Sequence, residues 1–234
     1  MKKFIKDELY GWTKGEVVWL IFTCITITAL SIYWQDSLMG IISAVTGIAY
    51  VIFAGKGKLS AYFFGLINCT LYAIISYKAR LYGETMLNAI YYLPMQFVGF
   101  YIWSKNMNPE TREVTKRHMK TSWRIGLIIT ITIATYIYGL LLNYLGDAMP
   151  FVDSFTTVSS VVAMIVSIGM FSEQWWIWLG VNSLSVYMWW CNFTSGNDNM
   201  ATLLMWLVYL ISGIMMLIKW EKEISRSHTN PDKC

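Results

Sequence analysis

Fixed charge is scarce in this chain: aspartate, glutamate, lysine and arginine make up 14% of its 234 residues, against about a quarter in soluble domains. Histidine occurs twice, as His118 and His228, so imidazole catalysis and haem ligation have no candidate inside an apolar segment. Cys24, Cys69, Cys191 and Cys234 are scattered without metal or redox spacing, and the first three are expected to pack as small hydrophobes. Neither a G-x-x-x-x-G-K-[ST] phosphate loop nor an H-E-x-x-H zinc motif is present, and GKGK at 55–58 reads as a short basic turn. These absences exclude the common enzyme signatures. No catalytic residue, metal ligand or cofactor site is expected.

What the chain has instead is apolar surface. Hydrophobic residues reach 56% and the mean hydropathy is +0.46. Runs of roughly twenty apolar residues, enough to cross a hydrocarbon core as helix, occur at about 17–34, 38–55, 59–77, 85–104, 124–145, 151–171, 175–193 and 200–219. The expectation is an all-α integral membrane protein of eight transmembrane helices. The first run follows Lys2, Lys3, Lys6 and Lys14, like the basic start of a signal peptide. It is long, however, and ends in SIYWQDS without a small-residue cleavage site, so it reads as a retained helix.

Charge sorting tests the span count. With the N-terminus in the cytoplasm, the inside segments collect Lys2, Lys3, Lys6 and Lys14, then Lys56 and Lys58, then Lys105, Arg112, Lys116, Arg117, Lys120 and Arg124, then Lys219, Lys222, Arg226 and Lys233. That is sixteen of eighteen basic residues, with only Lys78 and Arg80 outside. Seven or nine spans would put a basic cluster on the wrong side. Both termini are therefore expected in the cytoplasm. The net charge of +4 follows from topology and needs no nucleic acid; the 105–124 cluster reads as a cytoplasmic connector touching anionic head groups.

Sliding the chain on itself by 114 positions lays 37–104 over 151–218 without a gap, and Ala49 meets Ala163, Gly55 meets Gly169, Asn68 meets Asn182 and Gly99 meets Gly213. Identities are few, but span lengths and loop positions agree across three helices. Four spans separate equivalent helices, so the two triplets run the same way through the membrane. The expected organisation is an N-terminal segment and extra helix (1–36), a first three-helix repeat (37–104), a basic connector and linker helix (105–150), a second repeat (151–220) and a cytoplasmic tail (221–234). Transporters built from parallel repeats place substrate near the midplane between the halves.

Polar and aromatic stripes mark candidate lining residues. On the fourth span Asn88, Tyr92, Gln96, Gly99 and Trp103 recur every three or four residues, while Leu87, Ile90, Phe97 and Ile102 lie on other sides. The seventh span carries Trp175, Trp178, Asn182, Ser185 and Trp189, and the third Phe64, Asn68 and Tyr72. Such residues also serve as interhelical hydrogen bonds or an interfacial belt. As a ligand site they suit a flat ring or cation held by Trp and Tyr, with amides paired to a carboxamide or ribose hydroxyls. The candidate substrate-binding residues are Trp178, Trp175, Asn182, Gln96, Asn88, Tyr92 and Asn68. Glu84, Asp36, Asp147, Asp153 and Asp198 fall near span ends and no titratable group interrupts mid-span, which points to uncoupled transport. A sodium site built from carbonyls and hydroxyls stays compatible.

The segment YFFGLINCTLYAIISYKARLYGETMLNAIYYLPMQFVGFYIW, followed by QWWIWLGVNSLSVYMWW, resembles the PnuC transporters of nicotinamide riboside in bacteria, over residues 37–220. Its more specific elements are Asn88 to Trp103, with P-M-Q at 94–96, and the W-x-x-W of Trp175 and Trp178, similar to the motif of the nicotinamide riboside branch of the Pnu group. The resemblance implies a SWEET-like 3+1+3 core after an extra N-terminal helix, a homotrimer, and a place in the bacterial inner membrane. It further implies facilitated diffusion of nicotinamide riboside for NAD synthesis, with trapping by a cytoplasmic nicotinamide riboside kinase. A Pnu-type carrier of thiamine, riboflavin or a nucleoside, and a non-transporting membrane receptor or scaffold, are the alternatives.

Overall fold

The computed structural model describes residues 7–35, 37–78, 85–146, 149–194 and 200–229. Lys2, Lys3, Lys6, Asp36, Arg80, Glu84, Asp147, Asp198, Lys233 and Cys234 lie outside the described residues, as do the side chains of Lys78 and His228. The chain is all-helical: α1 Lys14–Tyr33, α2 Leu38–Lys56, α3 Ser60–Lys78, α4 Leu93–Lys105, α5 Thr121–Tyr144, α6 Pro150–Ile168, α7 Gln174–Thr194 and α8 Met200–Thr229. A π-helical stretch, Leu87–Tyr92, leads into α4. Five of these helices are long and apolar enough to cross a membrane: α1, α2, α5, α6 and α8. The candidate residues lie on the other three helices and the π stretch: Asn68 on α3, Asn88 and Tyr92 on the π stretch, Gln96 on α4, and Trp175, Trp178 and Asn182 on α7.

Local chemistry sets the helix ends. Thr13 caps α1 in a reciprocal box with Glu16, each side chain accepting from the other's backbone N–H, and Ser37 caps α2 through the Gly40 N–H. α2 stops at Gly57, whose φ of 78° is the left-handed conformation that glycine adopts without a Cβ penalty. The π turn has a cause in Pro94: it has no N–H to give Ile90, and the ladder widens so that the Leu93 N–H reaches Asn88 O.

α2 packs on α3 and α8, α3 on α4, α4 on α6, α6 on α7, and α7 on α8; α1 lies against α2 and α8, and α5 against α6. Gly65 on α3 lets the Gln96 amide and the Tyr50 ring approach its backbone, where a side chain would collide. Apolar side chains such as Ile128, Ile133, Tyr136 and Ile137 on α5 point outward, as lipid-facing residues do.

The connector end of the bundle differs from expectation. Lys56 and Lys58, at the short turn between α2 and α3, are buried. Lys58 donates to Asp7 O and Arg112 O. Lys56 sits 2.9 Å from Glu16 and 3.2 Å from Glu113; Glu113 sits 2.8 Å from Lys116; Lys116 pairs with Glu223; Glu223 lies 3.8 Å from Lys219, and Lys219 2.7 Å from Glu16. Three lysines and three glutamates thus alternate in a closed ring that ties α1, α2, the connector and α8 together. Arg112 pairs with Asp7 and Arg124 with Glu173. Half of the connector's cations, Arg112, Lys116 and Arg124, therefore face protein carboxylates and not lipid head groups. Within the 221–234 segment α8 runs on to Thr229, and Glu221 and Glu223 dock on Ser172 and Lys116.

Burial shapes the ionisation of this region. Desolvation raises the Glu113 carboxyl, but Lys116, Lys219 and Lys56 outweigh it and hold the group below the ordinary carboxylate range. Lys58 moves down, since burial penalises its charge more than Glu113 and Glu8 favour it.

Candidate functional site

A cavity of about 1250 Å³, counting the open space at its mouth, lies among α2, α3, α4, α6, α7 and α8. Trp178, Trp175, Asn182, Gln96, Asn88, Tyr92 and Asn68 all line it. The structure therefore brings together the seven residues that sequence periodicity singled out.

Their roles in packing differ. The Asn68 amide donates to Ser43 O at 2.8 Å and lies 3.3 Å from Ser43 Oγ, so it is engaged in pairing α3 with α2. Asn182, on α7, is 5% exposed and its side chain enters no hydrogen bond among the described residues. Gln96 is 2% exposed. Its Nε2 reaches only the Cys69 sulfur, at 3.8 Å, and its Oε1 lies beside Tyr50 without hydrogen-bonding geometry to any group. A buried carbonyl left unmade costs about 1–3 kcal/mol, which a ligand donor would recover. Trp175 stands edge-on to Trp220, ring centroids 5.8 Å apart, and its indole N–H is likewise unmet. Asn88 sits on the π turn, the kind of irregularity found at functional sites.

Some stripe residues do not reach the cavity. Gly99 is pressed against Tyr62. Trp103 packs on the same tyrosine and donates to Ser167 O at 3.3 Å. Leu87, assigned to another side, does line the cavity, because the π turn changes the angular spacing of residues ahead of Leu93. Trp176 and Trp190 point outward, 64% and 56% exposed, as belt residues do.

Sequence reasoning missed a second wall. Thr156, Thr157, Ser160, Met164 and Ser167 on α6, Tyr50 on α2, Gln174 at the start of α7, and Trp206 and Tyr209 on α8 also line the cavity. The hydroxyl spacing 156, 160, 167 is a helical stripe and was the available signal. Among the described residues, no aspartate, glutamate, lysine, arginine or histidine lines the cavity, and no cluster of metal-ligating side chains occurs. The arrangement can stack a flat ring, satisfy hydroxyls and amides, and tolerate a delocalised cation. It offers no counter-charge to a phosphate.

The family model described as nicotinamide mononucleotide transporter matches residues 37–222. The nicotinamide riboside transporter PnuC of Neisseria mucosa is 39% identical over 229 residues, covering 94% of this chain and 86% of that protein. Its counterpart from Haemophilus influenzae is 32% identical over 228 residues, covering 96% and 97%. The crystal structure of the vitamin B3 transporter PnuC superimposes with a TM-score of 0.85 at 37% identity, covering 96% of this chain and 98% of the other. With most of its length inside the family model and its helices arranged as in that structure, this chain belongs to the nicotinamide mononucleotide transporter family, the PnuC membrane transporters, and is a carrier and not an enzyme.

Proposed function

We propose that this protein takes up nicotinamide riboside by facilitated diffusion through the central cavity. The observation that carries the reading is the uncharged lining in which Trp178, Trp175, Tyr92, Gln96, Asn88, Asn182 and Asn68 converge. Nicotinamide riboside is a flat pyridinium with a carboxamide and a ribose. Trp178, Trp175 and Tyr92 hold the ring, each desolvated cation–π contact giving about 0.5–2 kcal/mol, and the amides hold the carboxamide and hydroxyls. A neutral cage binds modestly and so releases inward. The same lining favours the riboside over the mononucleotide, whose phosphate requires cationic or backbone N–H partners when it leaves water. Phosphorylation by a cytoplasmic kinase then blocks return and supplies direction without ion coupling.

Movement follows from a 3+1+3 arrangement of two parallel repeats, 37–104 and 151–220, joined through α5, with the termini and connector in the cytoplasm. Reciprocal contacts support it. Trp103 on the last helix of the first half donates to Ser167 O on the first helix of the second half, at 3.3 Å. Trp220 on the last helix of the second half donates to Gly55 O on the first helix of the first, at 2.7 Å. The family resemblance adds a homotrimer.

Uptake of labelled nicotinamide riboside into proteoliposomes tests the reading. Uptake is expected to persist when proton and sodium gradients are collapsed; binding without uptake makes the protein a receptor or scaffold. Calorimetry with nicotinamide riboside, thiamine, riboflavin and a nucleoside separates the substrates. If Trp178→Ala and Gln96→Ala both leave nicotinamide riboside binding unchanged, the site is wrong.

A further inference from the structure

We propose that an anionic glycerophospholipid occupies a specific site between α5 and α6, its phosphate on Arg117 and Lys120 and one acyl chain in the apolar groove beneath them. The groove holds about 1070 Å³, counting its open side, and is lined by Met119, Ser122, Trp123, Gly126, Leu127, Thr130, Val162, Ile165, Val166 and Phe171. Most of that wall is apolar, and from Ser122 to Thr130 it extends about 12 Å along the helix axis. Gly126 is central to it: a Cβ there would meet nothing within 4 Å, so the groove exists because this position has no side chain and no neighbour fills the space.

The cationic rim is what selects the occupant. Arg112, Lys116 and Arg124 are paired with carboxylates, and Lys105 lies over the Tyr101 ring. Arg117 and Lys120 have no carboxylate partner among the described residues, and both are exposed. Arg117 is nonetheless fixed in place: its backbone N–H donates to Met170 O at 3.1 Å, its Nε donates to Gly169 O at 3.1 Å, and its guanidinium lies 4.4 Å over the Phe171 ring that forms the groove wall. The terminal nitrogens of that guanidinium stay free for an anion. Lys120 lies between Met119 and Ser122, both groove residues, at the start of α5. The nearby carboxylates are already engaged, Glu173 by Arg124 at 2.6 Å and the Met119 N–H at 3.1 Å, and Glu221 by the Ser172 hydroxyl and by His118 at 3.5 Å. An acyl-shaped apolar trough ending in two unpaired cations at the membrane boundary matches an anionic lipid and not a zwitterionic one. In the orientation proposed above, this is a lipid of the cytoplasmic leaflet, bound to the helix that joins the two halves.

Native mass spectrometry of the full chain in detergent, titrated with phosphatidylglycerol or with phosphatidylcholine of the same acyl chains, tests this without any transport measurement. One phosphatidylglycerol is expected to be retained per chain at concentrations where phosphatidylcholine is lost. Arg117→Gln and Lys120→Gln should each weaken that retention about fivefold, as removal of one cation from a lipid surface does. Gly126→Trp should fill the groove and abolish retention, while calorimetric binding of nicotinamide riboside, which rests on the other cavity, reports that each variant is folded. Equal retention of the two lipids, or phosphatidylglycerol adducts unchanged in the Arg117→Gln/Lys120→Gln variant, overturns the proposal. A Gly126→Trp variant that changes the oligomeric state and leaves lipid retention intact assigns the groove to a second copy of the chain and overturns it as well.

Discussion

The Tyr50 hydroxyl meets the Met164 sulfur at 3.8 Å, and the two residues stand 114 positions apart, the offset at which the two proposed repeats align. Equivalent residues of two halves related by a twofold axis touch only where that axis passes. Both side chains also line the cavity, so in the proposed arrangement the contact sits where the axis meets the proposed substrate path. A double-mutant cycle with Tyr50→Phe and Met164→Leu should show a coupling of about 0.5 kcal/mol or more in the stability of the purified protein, as contacting pairs do. Additivity within about 0.3 kcal/mol removes this contact as support for the twofold arrangement.

The two indole bonds, Trp103 to Ser167 O and Trp220 to Gly55 O, tie the last helix of each proposed half to the first helix of the other. The proposed inward release is expected to part them. Trp103→Phe or Trp220→Phe keeps the aromatic body and deletes the donor, removing one interhelical hydrogen bond worth about 0.5–1.5 kcal/mol. With Cys24, Cys191 and Cys234 replaced by serine, maleimide labelling of Cys69, a buried cavity residue, should speed up at least about fivefold in either variant. Unchanged labelling in both means that the indoles hold structure and do not gate.

The seven candidate residues were legible because amides and large aromatics are conspicuous in apolar helices, where a side chain without water needs a partner. The hydroxyl wall of α6 was not, since serine and threonine can satisfy themselves on their own helix, as Thr156 does on Asp153 O at 3.0 Å. Leu87 was placed on the wrong side because periodicity assumes 3.6 residues per turn and the Leu87–Tyr92 stretch is π-helical. The ion ring escaped for another reason. Counting cations sorts topology correctly in principle, but Glu16, Glu113 and Glu223 come from three distant segments, and nothing local announces that Lys56, Lys116 and Lys219 will meet them.

Asn68 and Asn182, equivalent in the proposed repeats, differ in their hydrogen bonding. Asn68 already spends its amide on Ser43 O, so Asn68→Ala should lower stability by about 1 kcal/mol and weaken nicotinamide riboside binding less than threefold. Asn182, with no hydrogen bond of its own among the described residues, should behave oppositely: Asn182→Ala should weaken binding about five- to tenfold, equivalent to roughly 1–1.4 kcal/mol, with stability little changed. Calorimetry and thermal melting on the two variants decide this, and the reverse pattern assigns Asn182 to packing.

The ring of Lys56, Glu113, Lys116, Glu223, Lys219 and Glu16 makes the connector end sensitive to acid. The Glu113 carboxyl is held below its ordinary range, so the folded state favours the carboxylate more than the unfolded chain does. That contribution is fully present above the ordinary carboxylate value and is lost as pH falls through the depressed one. Stability should therefore be insensitive to Glu113 between pH 8 and pH 5, and should decline below roughly pH 4.3. Glu113→Gln removes the charge that faces Lys56 at 3.2 Å and Lys116 at 2.8 Å, both with side chains only 5% exposed. Breaking a buried pair from one side costs about 3–5 kcal/mol, so the variant should melt well below the parent at neutral pH. Its acid decline should also be shallower, because one of the groups that takes up a proton is gone. Equal neutral-pH melting of parent and variant contradicts the view that the ring fastens α1, α2 and α8 to the connector.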